Sequence, residues 1–446
     1  MTATSGDEAI NTAGALRADD RPVPYLEALR NREFRGLVVA QIASECGDHF
    51  ARVGVAALVL QVEGSMLLAA LAFAVGYLPG LFGAALLAPL ADRMSRRRVL
   101  LLSDAIRALI VGLLALLAVP STPLWTFYAL LILAELFTAP FDAARAALLP
   151  DVFRDPRGYV AGAGLSRFLF QANQVAGLVM AGLVVALVSP RGALVVDAAS
   201  FLLSFTVILI FVRARPAPLG EHHAGATGLL RDALEGARVV FSDPARRAIV
   251  VIGWTAAVFM IAPEGVALAY AAVQGRSEVW GGVLMASVPA GAAVGAVLIG
   301  HIAHEAQLRA LPRLVMAMCV PMVATAVTPP VAITAGLWFV SGVCQGFMAT
   351  LITTLNVLTP AEYRGRVNGL AAAGFSVATA VAFVLSGWLA DLTSPARAVA
   401  LAGVAGLAII GMNWAKWPAA TLTSRVRAAY QEAAVPKPVR APPGGS

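Results

Sequence analysis

The sequence is short of charge. Of its 446 residues, 13% are Asp, Glu, Lys or Arg while 59% are hydrophobic. A soluble domain carries roughly twice that charge, so a water-surrounded globule is excluded. Lysine is nearly missing: only Lys416 and Lys437 occur, and neither follows a glycine. A phosphate-cradling G-K-[ST] loop is therefore ruled out, and ATP does not drive this chain directly. Cysteine is scarce too. Cys46, Cys319 and Cys344 sit in apolar surroundings without a pairing pattern. They read as small packed residues, not as disulfides or metal ligands. The start, "MTATSGDEAINTAGALRADD", lacks the apolar core of a signal peptide. No metal-ligand cluster and no nucleophile motif is present; His222 and His223 are merely adjacent in a loop. An enzyme or a receptor is disfavoured, and no cofactor is expected.

What is present is glycine and long apolar runs. The chain holds 40 glycines, which let membrane helices approach closely. Its net charge of +7 might suggest nucleic acid, but the basic residues fall in short gaps between apolar runs. That placement points to a lipid bilayer and not to nucleic acid.

Twelve runs are long enough to span. They lie near 34–62, 66–90, 99–119, 124–147, 160–187, 191–212, 247–272, 279–300, 312–327, 330–357, 367–390 and 396–415. Arg93, Arg96, Arg97, Arg98, Arg154, Arg157, Arg309, Arg364 and Arg366 gather in gaps on one side, whereas Arg191, Arg276 and Arg397 are on the other. The positive-inside rule then puts both termini in the cytoplasm. The expected organisation is a tail with an interfacial helix (1–33), a six-helix lobe (34–212), a cytoplasmic linker with an amphipathic helix (213–246), a second six-helix lobe (247–416) and a disordered tail (417–446).

The halves repeat. "FTAPFDAARAALLPDVFR" (137–154) can be laid on "FMATLITTLNVLTPAEYR" (347–364), Phe on Phe and Arg on Arg. A parallel repeat of six spans is the plan of two-lobed transporters.

Between the second and third runs lies "LAPLADRMSRRRVLLLSDAIRA" (87–108). It resembles the signature loop of the major facilitator superfamily, with Leu90, Ala91, Asp92, Arg93, Arg96 and Arg97 matching, and Ala88 and Ser95 standing where glycines are usual. "NREFRGLVVAQIASECGD", "AALLPDVF", "VVDAASFLLS" and "LTPAEYRGRVNGL" resemble the drug- and siderophore-exporter branch, including macrolide-efflux and enterobactin-exporter-like proteins. The resemblance implies an all-α integral membrane protein of twelve helices. It implies a loop that anchors the two lobes, its aspartate near a helix N-terminus across the interface. It also implies a cavity lined by spans one, four, seven and ten. The antiporter run expected in span five is reduced to "GLVMAG" (177–182), without its proline.

Against that frame stands "SECGDHFARV" (44–53) in the first span. Glu45, Asp48, His49 and Arg52 fall at i, i+3, i+4 and i+7, one stripe of a helix. Ionisable groups inside a bilayer must face protein or a water-filled cavity. The cavity helices implied by the resemblance add Glu135 in span four, Glu264 in span seven and Gln345 in span ten. Two readings compete. Glu45 with His49, and Asp48 with Arg52, could neutralise each other as i,i+4 pairs and serve packing alone. The other reading makes Asp48 and Glu135 the leading proton or cation sites. Glu45 and His49 then modulate them, Arg52 is a counter-ion or anion handle, and Glu264 ranks below as nearer the outer side. Asp104 with Arg107, and Asp142 with Arg145, read as structural i,i+3 pairs, and Asp197 as structural.

The expected function is export of an amphipathic small molecule, a drug or a natural product, by a monomer in a bacterial inner membrane. A proton gradient would supply the energy, protons and substrate being the partners. An importer or uniporter on the same fold is the alternative.

Overall fold

The computed structural model describes residues 25–77, 79, 94–119, 121–153, 155–216, 226–414 and 417–434, and among these every regular element is a helix. The first half holds α1 (Tyr25–Ala28), α2 (Arg32–Glu63), α3 (Met66–Tyr77), α4 (Arg96–Leu117), α5 (Leu124–Glu135), α6 (Thr138–Val152), α7 (Pro156–Leu187) and α8 (Pro190–Phe211). Next comes α9 (Ala226–Ser242) in the linker. The second half holds α10 (Pro244–Met260), α11 (Ala262–Val273), α12 (Glu278–Gly300), α13 (His304–Ala324), α14 (Val331–Cys344), α15 (Phe347–Leu358), α16 (Arg364–Leu392), α17 (Pro395–Trp414) and α18 (Ala419–Ala434).

Local chemistry sets the helix starts. Asn31 accepts from the amides of Glu33 and Phe34, Asp155 from Arg157 and Gly158, and Asp243 from Ala245. Each cap satisfies donors that a helix end leaves open. Pro156, Pro190 and Pro244 occupy the first turn, where a missing N–H costs nothing.

Ten helical stretches among the described residues are long and apolar enough to cross a membrane, when each of the pairs α5–α6, α10–α11 and α14–α15 is taken together. Their outer faces are apolar: Leu109, Leu116, Val160, Phe168, Leu187, Val297 and Met412 are exposed. Trp125 and Trp414 are exposed at helix ends. Apolar outer faces with aromatic ends suit lipid, not water. The helix α2 runs 32 residues, or about 48 Å at the usual rise; it is set apart from the ten by its ionisable stripe.

Four expectations need correction. Spans four, seven and ten are not continuous: they break at Leu136–Phe137, at Ile261 and at Gln345–Gly346. The first and last breaks fall within one residue of each other when 137–154 is laid on 347–364, so the repeat is a repeat of shape. Span nine starts at His304, not 312, because its polar first turns continue the same helix. The lead-in helix at 25–34 is a single turn, ended where Asn31 starts α2. Residues 419–434 of the tail are helical and docked, whereas 435–446 lie outside the described residues. The reason is legible in "LTSRVRAAY". Leu422 and Val426, at i and i+4, are buried against the bundle, and Arg427 makes a two-pronged ion pair with Glu305 at 2.6 and 2.8 Å. His304 sits 3.1 Å from the Thr354 hydroxyl and packs its ring edge-on to Tyr430.

Arg425 reaches both carboxylate oxygens of Asp243 at 2.7 Å. Burial pushes the Asp243 carboxyl up, but the Ala245 amide and Arg425 outweigh it and hold it below its ordinary value. A lowered folded-state value gives stability that is complete above the unfolded value of about 3.9 and is lost as pH falls through the folded one. Amide hydrogen exchange over 419–434 should therefore quicken as pH drops below about 4 relative to reference peptides. Asp243→Asn, which still caps α10, should lessen that pH dependence and leave the share that Glu305 contributes through Arg427.

The two lobes meet along α3 with α16 and α7 with α12. Phe73 and Tyr77 stack on Phe383 at 5.5 and 5.7 Å. Gly182 and Gly282 bring the backbones of α7 and α12 into contact, since a Cβ on either would meet the other's main chain. At the same end, Asp391 accepts from the Met66 amide (2.6 Å), the Leu67 amide (3.1 Å) and the Ser65 hydroxyl (2.8 Å). A carboxylate from one lobe thus caps the N-terminus of α3 in the other. The resemblance implied such a contact for Asp92. Leu90, Ala91, Asp92 and Arg93 lie outside the described residues. Arg96 and Arg97 point within their own lobe: Arg96 to Asp151 (2.6 Å) and the Ala147 carbonyl (2.8 Å), Arg97 to the Leu209 carbonyl (2.7 Å). These acceptors lie in the last turns of α6 and α8, where cations are favoured.

Candidate functional site

The stripe on α2 faces the interior, but its members do not pair along the helix. Arg52 crosses to α5 and donates from Nε (2.8 Å) and Nη2 (2.5 Å) to Glu135 Oε1. Asp48 is held by Arg107 Nη2 of α4, and the Arg107 Nη1 also donates to the Ser44 hydroxyl at 3.0 Å. Glu45 accepts from Gln41 (2.9 Å) and from Asn173 of α7 (2.9 Å), with Arg145 at 3.6 Å. The i,i+4 pairs Glu45–His49 and Asp48–Arg52 are replaced by contacts to four neighbouring helices. A cross-helix partner wins because it also satisfies a second helix's buried charge.

His49 packs against Gly177 of α7, where a Cβ would collide with the imidazole. "GLVMAG" therefore keeps a use without its proline: Gly177 admits His49, and Gly182 meets the opposite lobe. Glu135 is the last residue of α5, directly before the break, and Thr138 donates to its Oε2 at 3.2 Å. Glu264 follows the break at Ile261 and is buried beside Pro263. Gln345 sits in the third break, buried, with its Nε2 unpartnered among the described residues. Glu135, Glu264 and Gln345 thus all lie at or just past a helix break. Broken membrane helices are where transporters build sites.

Arg107 is the functional candidate that sequence reasoning assigned only to packing. It is fully buried, with Phe201 of α8 under its guanidinium at 4.1 Å. An isolated arginine inside a span is itself a signal, since it requires an interior partner. The missing step was looking for that partner on α2 and not three residues away at Asp104. Asp104 instead accepts from Ser204 of α8 at 2.6 Å. Arg145 does pair with Asp142, at 3.2 Å, while also approaching Glu45. No group of His, Cys, Asp and Glu fit to hold a metal occurs among the described residues.

Chemically, the interior of the first lobe holds carboxylates and arginines paired across helices. The family model for the Major Facilitator Superfamily matches residues 37–370. The multidrug efflux pump Tap of Mycolicibacterium fortuitum is 25% identical over 369 residues, covering 80% of this chain and 88% of that one. The enterobactin exporter EntS of Citrobacter koseri is 26% identical over 336 residues, 72% of this chain and 76% of that one. Among solved structures, the nucleoside transporter NupG superposes with a TM-score of 0.64 at 11% identity, covering 90% of this chain and 99% of that one. A bacterial homologue of the iron transporter ferroportin gives 0.62 at 16%, covering 86% and 98%. At those identities the structures share the fold alone. The chain is a multi-pass membrane protein, and it belongs to the major facilitator superfamily of transporters.

Proposed function

We propose that this chain exports amphipathic small molecules, drugs or natural products, across a bacterial inner membrane by alternating access and in exchange for protons. Twelve spans with both termini in the cytoplasm complete the arrangement. The observation that carries the reading is the pairing of two interior carboxylates, Asp48 and Glu135, each with an arginine from another helix. A proton or a cationic substrate can relieve such a carboxylate of its arginine, but not both at once. That competition is what antiport requires. With the cavity open outward, protons neutralise Asp48 and Glu135 and substrate leaves. With it open inward, the protons depart and the acids receive new substrate. Glu45 and His49 tune the exchange, Glu264 and Gln345 line the opposite wall, and no cofactor takes part. The largely apolar interior favours a lipophilic cation. The two relatives named above, an efflux pump and a siderophore exporter, support the outward direction.

The test is accumulation of fluorescent lipophilic compounds in pump-deficient bacteria carrying this chain, Asp48→Asn or empty vector. The intact chain should lower accumulation, and a protonophore or Asp48→Asn should abolish the difference. Lower accumulation indifferent to both would remove the proton from the mechanism. Raised accumulation would make the chain an importer or uniporter.

A further inference from the structure

Around Asp48, α2, α4 and α8 enclose a group of charges; the transport reading uses its Asp48–Arg107 pair and leaves Asp104 and Asp197 aside. Arg107 is its centre. Asp48 pairs with it, Asp104 lies one turn earlier on α4, and Asp197 lies one turn before Phe201, whose ring underlies the guanidinium. Asp104 and Asp197 have no exposed surface. One oxygen of each lies beside a serine: Asp104 Oδ2 accepts from Ser204 at 2.6 Å, and Asp197 Oδ1 is 3.3 Å from the Ser200 hydroxyl, which donates at 2.8 Å to the Asp197 carbonyl. The second oxygen of each, Asp104 Oδ1 and Asp197 Oδ2, is buried without a hydrogen-bond partner. Gly47 lets Asp197 come this close to α2, since a Cβ there would strike Asp197 Oδ1 and Ser200 Oγ.

Charge balance decides the occupancy. Three ionised carboxylates about one guanidinium leave two negative charges uncompensated. The other charged groups that reach the cluster do not supply the difference. Arg52 from α2 is already spent on Glu135 of α5, and Arg145 of α6 on Asp142 and Glu45. An isolated buried carboxylate costs far more than a buried neutral acid, so such groups bind protons instead. Arg107 can neutralise one of the three, and the structure shows which: its Nη2 is on Asp48.

We propose that Asp104 and Asp197 form a proton-holding site in the core of the first lobe, each carrying a proton while Arg107 is committed to Asp48. The site is separate from the cavity acids. It does not depend on transport being proton-driven, but it gives Arg107 alternative anionic partners. Losing a proton from Asp104 or Asp197 would draw Arg107 toward it and free Asp48.

Infrared spectroscopy of the purified full chain at neutral pH tests this directly, in ordinary and in heavy water. Protonated carboxyl groups give a band that shifts on deuteration. Growth on aspartate with a heavy side-chain carbon separates aspartates from Glu264 and the other glutamates, and needs no substitution. An aspartate-derived band is expected in the unaltered protein. Asp104→Asn and Asp197→Asn, isosteric with the protonated acids, should fold and should each remove about half of it. Asp391→Asn, at the exposed lobe contact, should leave it intact. An unaltered protein without an aspartate-derived band would overturn the proposal, as would a band untouched by both substitutions. Either result leaves the accumulation experiment free to succeed or fail on its own.

Discussion

Glu135→Ala is expected to lower the thermal stability of the purified protein by about 3 kcal/mol, because removing one member of a buried pair strands the other. Arg52 would lose both of its hydrogen bonds to the same oxygen, and its side chain is only 18% exposed. A double substitution, Arg52→Met with Glu135→Met, should regain most of the loss, since apolar residues of similar volume replace buried pairs at little cost. A thermal-shift assay in one detergent compares the three proteins. Equal melting of Glu135→Ala and the parent would mean that water, not the pair, solvates Arg52. The double variant should fold yet fail to transport, which separates the structural role of the pair from the coupling role proposed for it.

Gly282→Val should stop the lobes closing at the end where Asp391 caps α3. A Cβ at Gly282 would lie 2.7 Å from the Leu178 carbonyl oxygen and 3.1 Å from Gly182 Cα. Both are main-chain atoms of the other lobe and cannot swing aside. Overpacking of this kind costs about 1–3 kcal/mol. That is roughly a ten- to hundredfold loss of the closed state. The readout is maleimide labelling of Leu67→Cys, beside Gly387 in the lobe contact. Labelling should be slow in the parent and fast with Gly282→Val, and efflux should fall at least as far. Unchanged labelling would show that α7 and α12 separate without consequence for α3 and α16.

Much of this architecture can be read from the sequence because bilayers leave few options. Span length, turn residues and arginine placement locate most helices, and the repeat is visible in two short stretches. The kinks escape such reading. An apolar run such as "YALLILAELFTAPF" has the same composition whether straight or bent, and Pro140 and Pro263 mark a bend only once neighbours are known. The candidate site is partly legible. Position places Glu45, Asp48, His49 and Arg52 on one stripe. It cannot say which helix supplies each partner, so the nearest residue at i+4 stands in for a group 59 or 83 residues away. The tail helix was hidden by its neighbour: the proline-rich end at 435–446 dominates the composition of a segment whose first part has two buried apolar residues and two paired arginines.

Buried charge is concentrated in one half of the molecule. The first lobe buries Glu33, Asp104, Arg107, Glu135 and Asp197, whereas the second buries Glu264 as its one fully interior charged group among the described residues. The second lobe's interior polar groups are mostly hydroxyls, and Ser287 and Ser386 donate to carbonyls of their own helices. Those two hydroxyls can be exchanged for small apolar residues with little penalty, because each bonds only within its own helix. Replacing any member of the ionic set disturbs two or three helices together. The two lobes therefore face different mutational constraints. Substitutions should accumulate faster in the interior of the second lobe over evolutionary time, while that of the first drifts slowly.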